Sequence, residues 1–307
     1  MRVYNGAELN TITIGIGGNA LLNPKGSQRV SGELATTNRI AKAIAKLSNK
    51  YKIIVTHGNG TQVGDELLKN INASVEPLPL YLLNAETQAS IGSVLENAIN
   101  NQKPKRQFCT IITHVSVSPK DPAFKRPTKP IGPFYSKTQL KEELKHEKFA
   151  YIKERGMFRR VVASPMPKRV LELGAIMHLS KSFNIICGGG GGIPVYYNGR
   201  AYSGANAVID KDFTTQLIAT GIGAERLVLL TNVDFVYGSL DDKRSAIKHI
   251  HANELKHMLT DFEEGTIRPK LEAAIKFVEH GGKLAQIGNI IAIEKVLNGR
   301  EGTSITL

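Results

Sequence analysis

The stretch Thr11-Ile12-Thr13-Ile14-Gly15-Ile16-Gly17-Gly18-Asn19-Ala20-Leu21-Leu22 decides the fold. Its first half is apolar and β-branched, which predicts a strand over Thr11–Ile16; its second half is glycine-rich and hands the chain to a helix. The same grammar returns at His57-Gly58-Asn59-Gly60-Thr61-Gln62 and at Gly188 to Gly192 followed by Ile193-Pro194. Three strand–glycine–helix junctions in one chain predict successive βα units and an α/β fold.

Working outward, short β-branched runs alternate with amphipathic helical patterns along most of the 307 residues. Strands are predicted at Thr11–Ile16, Lys52–Val55, Phe108–Val117, Arg160–Ala163, Asn184–Cys187, Arg226–Leu230, Lys283–Ile287 and Thr303–Leu307. Helices are predicted at Glu33–Leu47, where Ile40, Ile44 and Leu47 share a face, and at Arg268–Glu279, where Leu271, Ala274, Ile275 and Val278 do the same. Together they imply an open, mostly parallel sheet covered on both faces. Between Val117 and Arg159 the alternation stops at a run of prolines (Pro119, Pro122, Pro127, Pro130, Pro133) and a charged stretch, which reads as an excursion from the sheet. Asn198-Gly199 between β-prone flanks predicts a tight hairpin.

Composition narrows the classes. With 41% hydrophobic and 22% charged residues the chain is an ordinary globular one, and disordered or fibrous structure is excluded. No run approaches the ~18 apolar residues of a membrane span, and Gly15, Gly17, Gly18 and Asn19 do not suit a signal peptide, so a cytoplasmic protein with no membrane partner is expected. Cys109 and Cys187 each sit in an apolar run and read as free structural thiols. Forty Lys and Arg against 27 Asp and Glu give a net charge of +13, which asks for an anionic partner. Seventeen of those cations, with only five acids, fall between Lys103 and Arg169.

Glycines at strand ends let backbone N–H groups approach a ligand, and the following helix N-terminus adds partial positive charge, so the three loops favour phosphate or carboxylate. Neither the dinucleotide fingerprint nor the P-loop pattern is present. A phosphoryl-transfer site without a P-loop needs cations from elsewhere. Lys129 in Thr-Lys-Pro-Ile-Gly, Lys211 between Asp210 and Asp212, and Lys270 at a helix start are the candidates; a lysine at a helix start is disfavoured by the dipole unless an anion is bound.

These segments resemble the carbamate kinases of the amino acid kinase superfamily. The resemblance is collinear over nearly the whole chain and rests on Gly17–Leu22, Thr56–Gly60 with Gln62–Gly64, Thr87–Gly92, Asp121–Phe124 with Thr128–Tyr135, Gly189–Pro194, Ala207–Asp212 and Pro269–Ala274. It implies one three-layer αβα domain with a protruding inserted subdomain near residues 118–162. It also implies an acceptor-binding lobe over residues 1–187 and a nucleotide-binding lobe over 188–307. By position, Lys129, Lys211 and Lys270 would neutralise the transferring phosphoryl group and Asp212 would orient the lysines. Gly17, Gly18, Asn19, Gly58, Asn59, Gly60, Gly189 and Gly190 would hold carbamate and phosphate; Lys211, Asp212, Tyr237, Pro269 and Lys270 would meet the nucleotide. The implied reaction is ATP plus carbamate giving ADP plus carbamoyl phosphate, with Mg2+ as the cofactor, in a cytoplasmic homodimer of arginine metabolism.

The sequence departs from the family pattern at Thr61 (usually Pro), Asn206 (Glu), Asn232 and Phe235, and Thr266-Ile267-Arg268 before Pro269. Loss of two carboxylates and gain of Arg268 are expected to make the site more positive and to alter nucleotide affinity. Two rival readings are set aside. His249 and His251 lack a third ligand at a familiar spacing, so no protein-held metal is expected. Nucleic acid is not expected as a partner either, because aromatics are only 6% and no RNA- or DNA-binding motif occurs.

Overall fold

A computed structural model describes residues 9–17, 30–71, 76, 78–146, 148–154, 156–238, 245–262 and 267–307. Eight strands make the central sheet: β1 (Thr11–Ile16), β2 (Lys52–His57), β3 (Phe108–Thr110), β4 (Asn184–Ile186), β5 (Arg226–Thr231), β6 (His249–His251), β7 (Leu284–Asn289) and β8 (Thr303–Thr306). Their spatial order is β6-β8-β7-β5-β1-β2-β4-β3, and every pairing is parallel except β7 with β8.

The strands read as continuous apolar runs because both faces are covered. On one face Ile12, Ile14 and Ile16 of β1, Ile53 and Val55 of β2, and Val228 and Leu230 of β5 pack against helix α1 (Val30–Leu47) through Ile40 and Ile44. Helix α3 (Leu80–Asn100) joins the same layer through Leu95 and Ile99. On the other face Leu227 and Leu229 meet α4 (Lys211–Gly221) and α5 (Arg268–Glu279), whose Leu271, Ala274, Ile275 and Val278 are all buried. Helix α2 (Gly60–Ile71), between α1 and α3 in sequence, springs directly from the loop after β2. Helices, sheet and helices form three layers.

Two of the expected strands are corrected. Phe108–Val117 is not one strand but two pieces in different sheets. The Ile111 N–H completes the main-sheet ladder on the Ile186 carbonyl at 2.8 Å, the Thr113 N–H is taken by the Gln88 side chain at 2.6 Å, and His114–Val117 then joins a second sheet. That second sheet has the order Tyr202–Gly204, Ile193–Tyr197, His114–Val117, Pro167–Val170. The expected strand Arg160–Ala163 is the end of Met157–Val162, which lies in a third, antiparallel sheet between Lys129–Tyr135 and Tyr151–Glu154. The chain leaves the second sheet after Val117 and returns at Pro167, and this third sheet and the helix Lys137–His146 lie between. The hairpin around Asn198-Gly199 is present with a longer tip, closed by the Asn198 N–H on the Ala201 carbonyl at 3.1 Å.

Candidate functional site

The carboxyl ends of β1, β2 and β5 open into a cleft of about 1050 Å³, with the antiparallel excursion as one wall and the start of α5 as another. Open α/β sheets bind ligands at this end of their strands. Two helix N-termini converge here. Asp210 caps α4, its Oδ1 accepting the Asp212 N–H at 3.0 Å, and Lys211 is the first residue of that helix. Helix α5 opens with Arg268-Pro269-Lys270; the proline fits the first turn, where its missing N–H costs no helical bond.

Both lysines turn to the same carboxylate. Lys211 pairs with Asp212 Oδ1, and Lys270 Nζ lies 3.0 Å from Asp212 Oδ2. Lys129 reaches across from the excursion to Asp210 Oδ2 at 2.5 Å. Burial pulls the Lys211 amine below the usual lysine range, with Asp212 only partly opposing and Lys270 adding to it. For Lys270 the effect of burial is outweighed by Asp212 and Asp210, which hold it above its usual value. Burial alone would raise Asp212, but the two lysines hold it well below the usual carboxylate range. Three lysines against two aspartates at the mouth of two helix dipoles make an anion site.

Behind the lysines the loops are fixed by side-chain amides. Asn59 donates to Asn84 Oδ1 and, at 2.8 Å, to Thr87 Oγ1; Asn84 donates to the Gly192 carbonyl at 2.6 Å, and Gln88 to the Gly189 carbonyl at 3.1 Å. Gly190 has φ +63°, and a Cβ there would stand 2.2 Å from Asn59 Nδ2, so only glycine fits against this network. His57 is buried under Gly189, and burial, with Lys211 nearby, lowers its pKa to about 4. It is a neutral imidazole behind the wall of the site.

Of the residues expected from sequence, Gly17, Gly58, Asn59, Gly60, Gly190, Lys129, Lys211, Asp212, Tyr237 and Lys270 all line the cleft. The N–H groups of Gly17 and Gly58 extend the sheet, to the Leu230 carbonyl at 3.2 Å and the Ile16 carbonyl at 2.9 Å. Gly189 packs against His57 behind the wall, and Pro269 shapes the first turn of α5 without lining the cleft. Gly18 and Asn19 lie outside the described residues. Tyr237 stands edge-on to Phe235, ring centroids 6.4 Å apart, near Asn232 and Phe262.

Two departures do not bear on the charge of the cleft as expected. Asn206 is not in it; its Oδ1 accepts the Leu80 N–H at 2.9 Å and caps α3. Arg268 pairs with Glu272 at 3.0 Å, one turn along α5. Sequence reading assigned no role to Asp210, Asn84, Gln88 or Arg159. Asp210 was legible as the residue before Lys211, and Asn84 and Gln88 from their place around Thr87; nothing local marks Arg159. His249 and His251 meet edge to face with centroids 5.4 Å apart on the edge strand β6, and among the described residues no three His, Cys, Asp or Glu side chains gather as a metal site.

Comparison with known proteins identifies the family. The family model described as the amino acid kinase family matches residues 10–289. A carbamate kinase of Escherichia coli O6:H1 is 38% identical over 97% of this chain and 100% of its own length. The structure of carbamate kinase from Giardia lamblia bound to citric acid superposes with a TM-score of 0.90 at 33% identity, covering 97% of this chain and 98% of that one. The Giardia lamblia enzyme bound to AMP-PNP gives 0.85 at 32% identity, with coverages of 97% and 98%.

Proposed function

Because the chain belongs to the amino acid kinase family, and within it to the carbamate kinases, we propose that this cleft moves a phosphoryl group between ATP and carbamate by charge neutralisation alone. The observation that carries the mechanism is the buried Lys211–Asp212–Lys270 group where two helix N-termini meet, with Lys129 facing it. A phosphoryl group in transfer spreads negative charge over its equatorial oxygens, and three ammonium groups with two helix dipoles are the complement of that charge. Asp212 keeps Lys211 and Lys270 in place before substrate arrives, so little reorganisation accompanies binding. Carbamate is already an oxyanion, so the acceptor needs no general base, and neutral His57 is not asked to be one.

The acceptor belongs beside the loops after β1 and β2, and the nucleotide beside residues 231–238 and α5. Phe235, Val236, Tyr237 and Phe262 offer the apolar and aromatic surface an adenine ring needs. Asp210 and Asp212 are each engaged by lysines, so Mg2+ would come with the nucleotide rather than be held by these carboxylates. Bound with the nucleotide, it would supply further neutralisation of phosphate charge beside the lysines. The family likeness also suggests a cytoplasmic homodimer in arginine metabolism; light scattering of the purified chain tests the dimer. Among the described residues no helix is long and apolar enough to cross a membrane.

The direct test is ATP formation from ADP and carbamoyl phosphate with Mg2+, run beside acetyl phosphate. Rapid ATP formation is expected from carbamoyl phosphate and much slower formation from acetyl phosphate. A folded, Mg2+-supplied protein that forms no ATP from carbamoyl phosphate overturns the proposal, and equal rates with both would make it a general acyl-phosphate kinase.

A further inference from the structure

Arg159 lines the same cleft from the antiparallel excursion and has no part in the scheme above. It sits on the strand Met157–Val162, adjacent to the strand that carries Lys129, and faces Ile152 across the other ladder. Its guanidinium is held in one place: Nε donates to the Gly132 carbonyl at 3.1 Å, and Cζ lies 5.1 Å over the Phe134 ring. Burial lowers its pKa, with Glu154 partly opposing.

Its counter-charge distinguishes it from its neighbours. Lys129, Lys211 and Lys270 are each matched by Asp210 or Asp212. Among the described residues no carboxylate forms an ion pair with Arg159, although it is partly withdrawn from water. Gly132 and Phe134 partly replace the lost water and Glu154 favours the charge without pairing with it, so a bound anion would complete the counter-charge. With Nε used by Gly132, the two Nη groups retain the planar donor fork that suits two oxygens of a phosphate.

We infer that Arg159 is a further catalytic residue of this cleft, binding the phosphate group of carbamoyl phosphate, and the same group as it passes from ATP, through the Nη fork. The inference rests on the phosphoryl-transfer reading and adds a fourth cation to it. Arg159 shares its origin with Lys129: both come from the excursion, whereas Lys211 and Lys270 come from the main body. The phosphoryl group would therefore be gripped from both sides of the cleft, and Gly132 and Phe134 would set the reach of the grip.

The test uses the full chain with Arg159→Met and Arg159→Lys. In the ATP-forming assay, KM for carbamoyl phosphate should rise about 10- to 100-fold in Arg159→Met while KM for ADP stays within about twofold. Arg159→Lys should recover only a small part, because an ammonium cannot span two oxygens. In Arg159→Ala, added guanidinium ion should restore activity several-fold, which a merely structural role would not allow. A KM for carbamoyl phosphate unchanged in Arg159→Met, or both KM values rising together with a lowered melting temperature, overturns the inference. A second arm needs no catalysis: binding of inorganic phosphate, followed by calorimetry, should weaken at least about tenfold in Arg159→Met. If the wild-type chain forms no ATP, the kinase reading fails while the phosphate titration still decides Arg159; equal phosphate affinity in the two proteins rejects it.

Discussion

Asp212 holds two cations on one buried carboxylate, each oxygen serving a different helix. Removing one partner of a buried pair leaves an uncompensated charge and costs about 3–5 kcal/mol. Asp212→Asn keeps the volume and removes the charge, so Lys211 and Lys270 repel across the gap. Expected are a kcat reduced by about a hundredfold or more and a lowered urea midpoint, measured on the same preparation. His57 makes a different prediction. Its pKa falls from 6.5 in the unfolded chain to about 4 in the folded one, so between those values the unfolded state binds more protons. The stability is fully present above pH 6.5 and is lost as the pH falls through about 4, to a total of about 3 kcal/mol. Urea titrations of wild type and His57→Gln over this range should converge as the pH is lowered.

At the scale of elements, the close approach of α2 to the strand Lys129–Tyr135 positions Lys129. A Cβ on Gly64 would lie 2.2 Å from the Gly132 Cα, so the two backbones touch without side chains between them. Gly64→Ala must push the strand away, and with it Lys129 and the carbonyl that anchors Arg159. The expected result is a loss of about 1–3 kcal/mol in stability together with at least a tenfold drop in kcat/KM, read by thermal melts and the coupled assay. Asn206 should behave oppositely. It supplies from a distant loop the cap that Pro79 cannot give α3, so Asn206→Ala should cost about 1 kcal/mol and leave KM for ADP within about twofold.

The same elements mark what could be read in advance. Thr11–Ile16 and Arg268–Glu279 were legible because alternation and helical spacing are local properties. Phe108–Val117 was misread because an apolar run does not say which sheet it joins; the switch at Thr113 depends on Gln88, twenty-five residues away. Lys211 was legible from its flanking aspartates and Lys270 from its place at a helix start, whereas Lys129 opens a strand. Asp210 opposite Lys129, the amide network of Asn59 and Asn84, and the exile of Asn206 from the cleft all arise from packing between distant segments. The departure at Asn206 could be seen in the sequence, but its place could not.

For the whole molecule, the uneven charge has a location. Of the cations between Lys103 and Arg169, Lys129, Lys153 and Arg159 line the cleft, while Lys145 is satisfied by Glu142 on the exposed helix. A positive field at the mouth attracts anionic substrates and is screened by salt. kcat/KM for carbamoyl phosphate should therefore fall several-fold as KCl rises from about 20 to about 200 mM, with kcat nearly constant. A salt-independent kcat/KM would leave the excess charge without a part in catalysis.

The excursion between Val117 and Pro167 has a topological consequence. Val117 and Pro167 face each other in an antiparallel ladder, so everything between them is, to the rest of the chain, the loop of one β-hairpin. Closing such a loop grows more costly only slowly with its length. The body can therefore carry, lengthen or lose this piece without rethreading any strand of the central sheet. Two of the four cations proposed to meet the phosphoryl group, Lys129 and Arg159, thus hang on a piece that joins the body through a single strand pair.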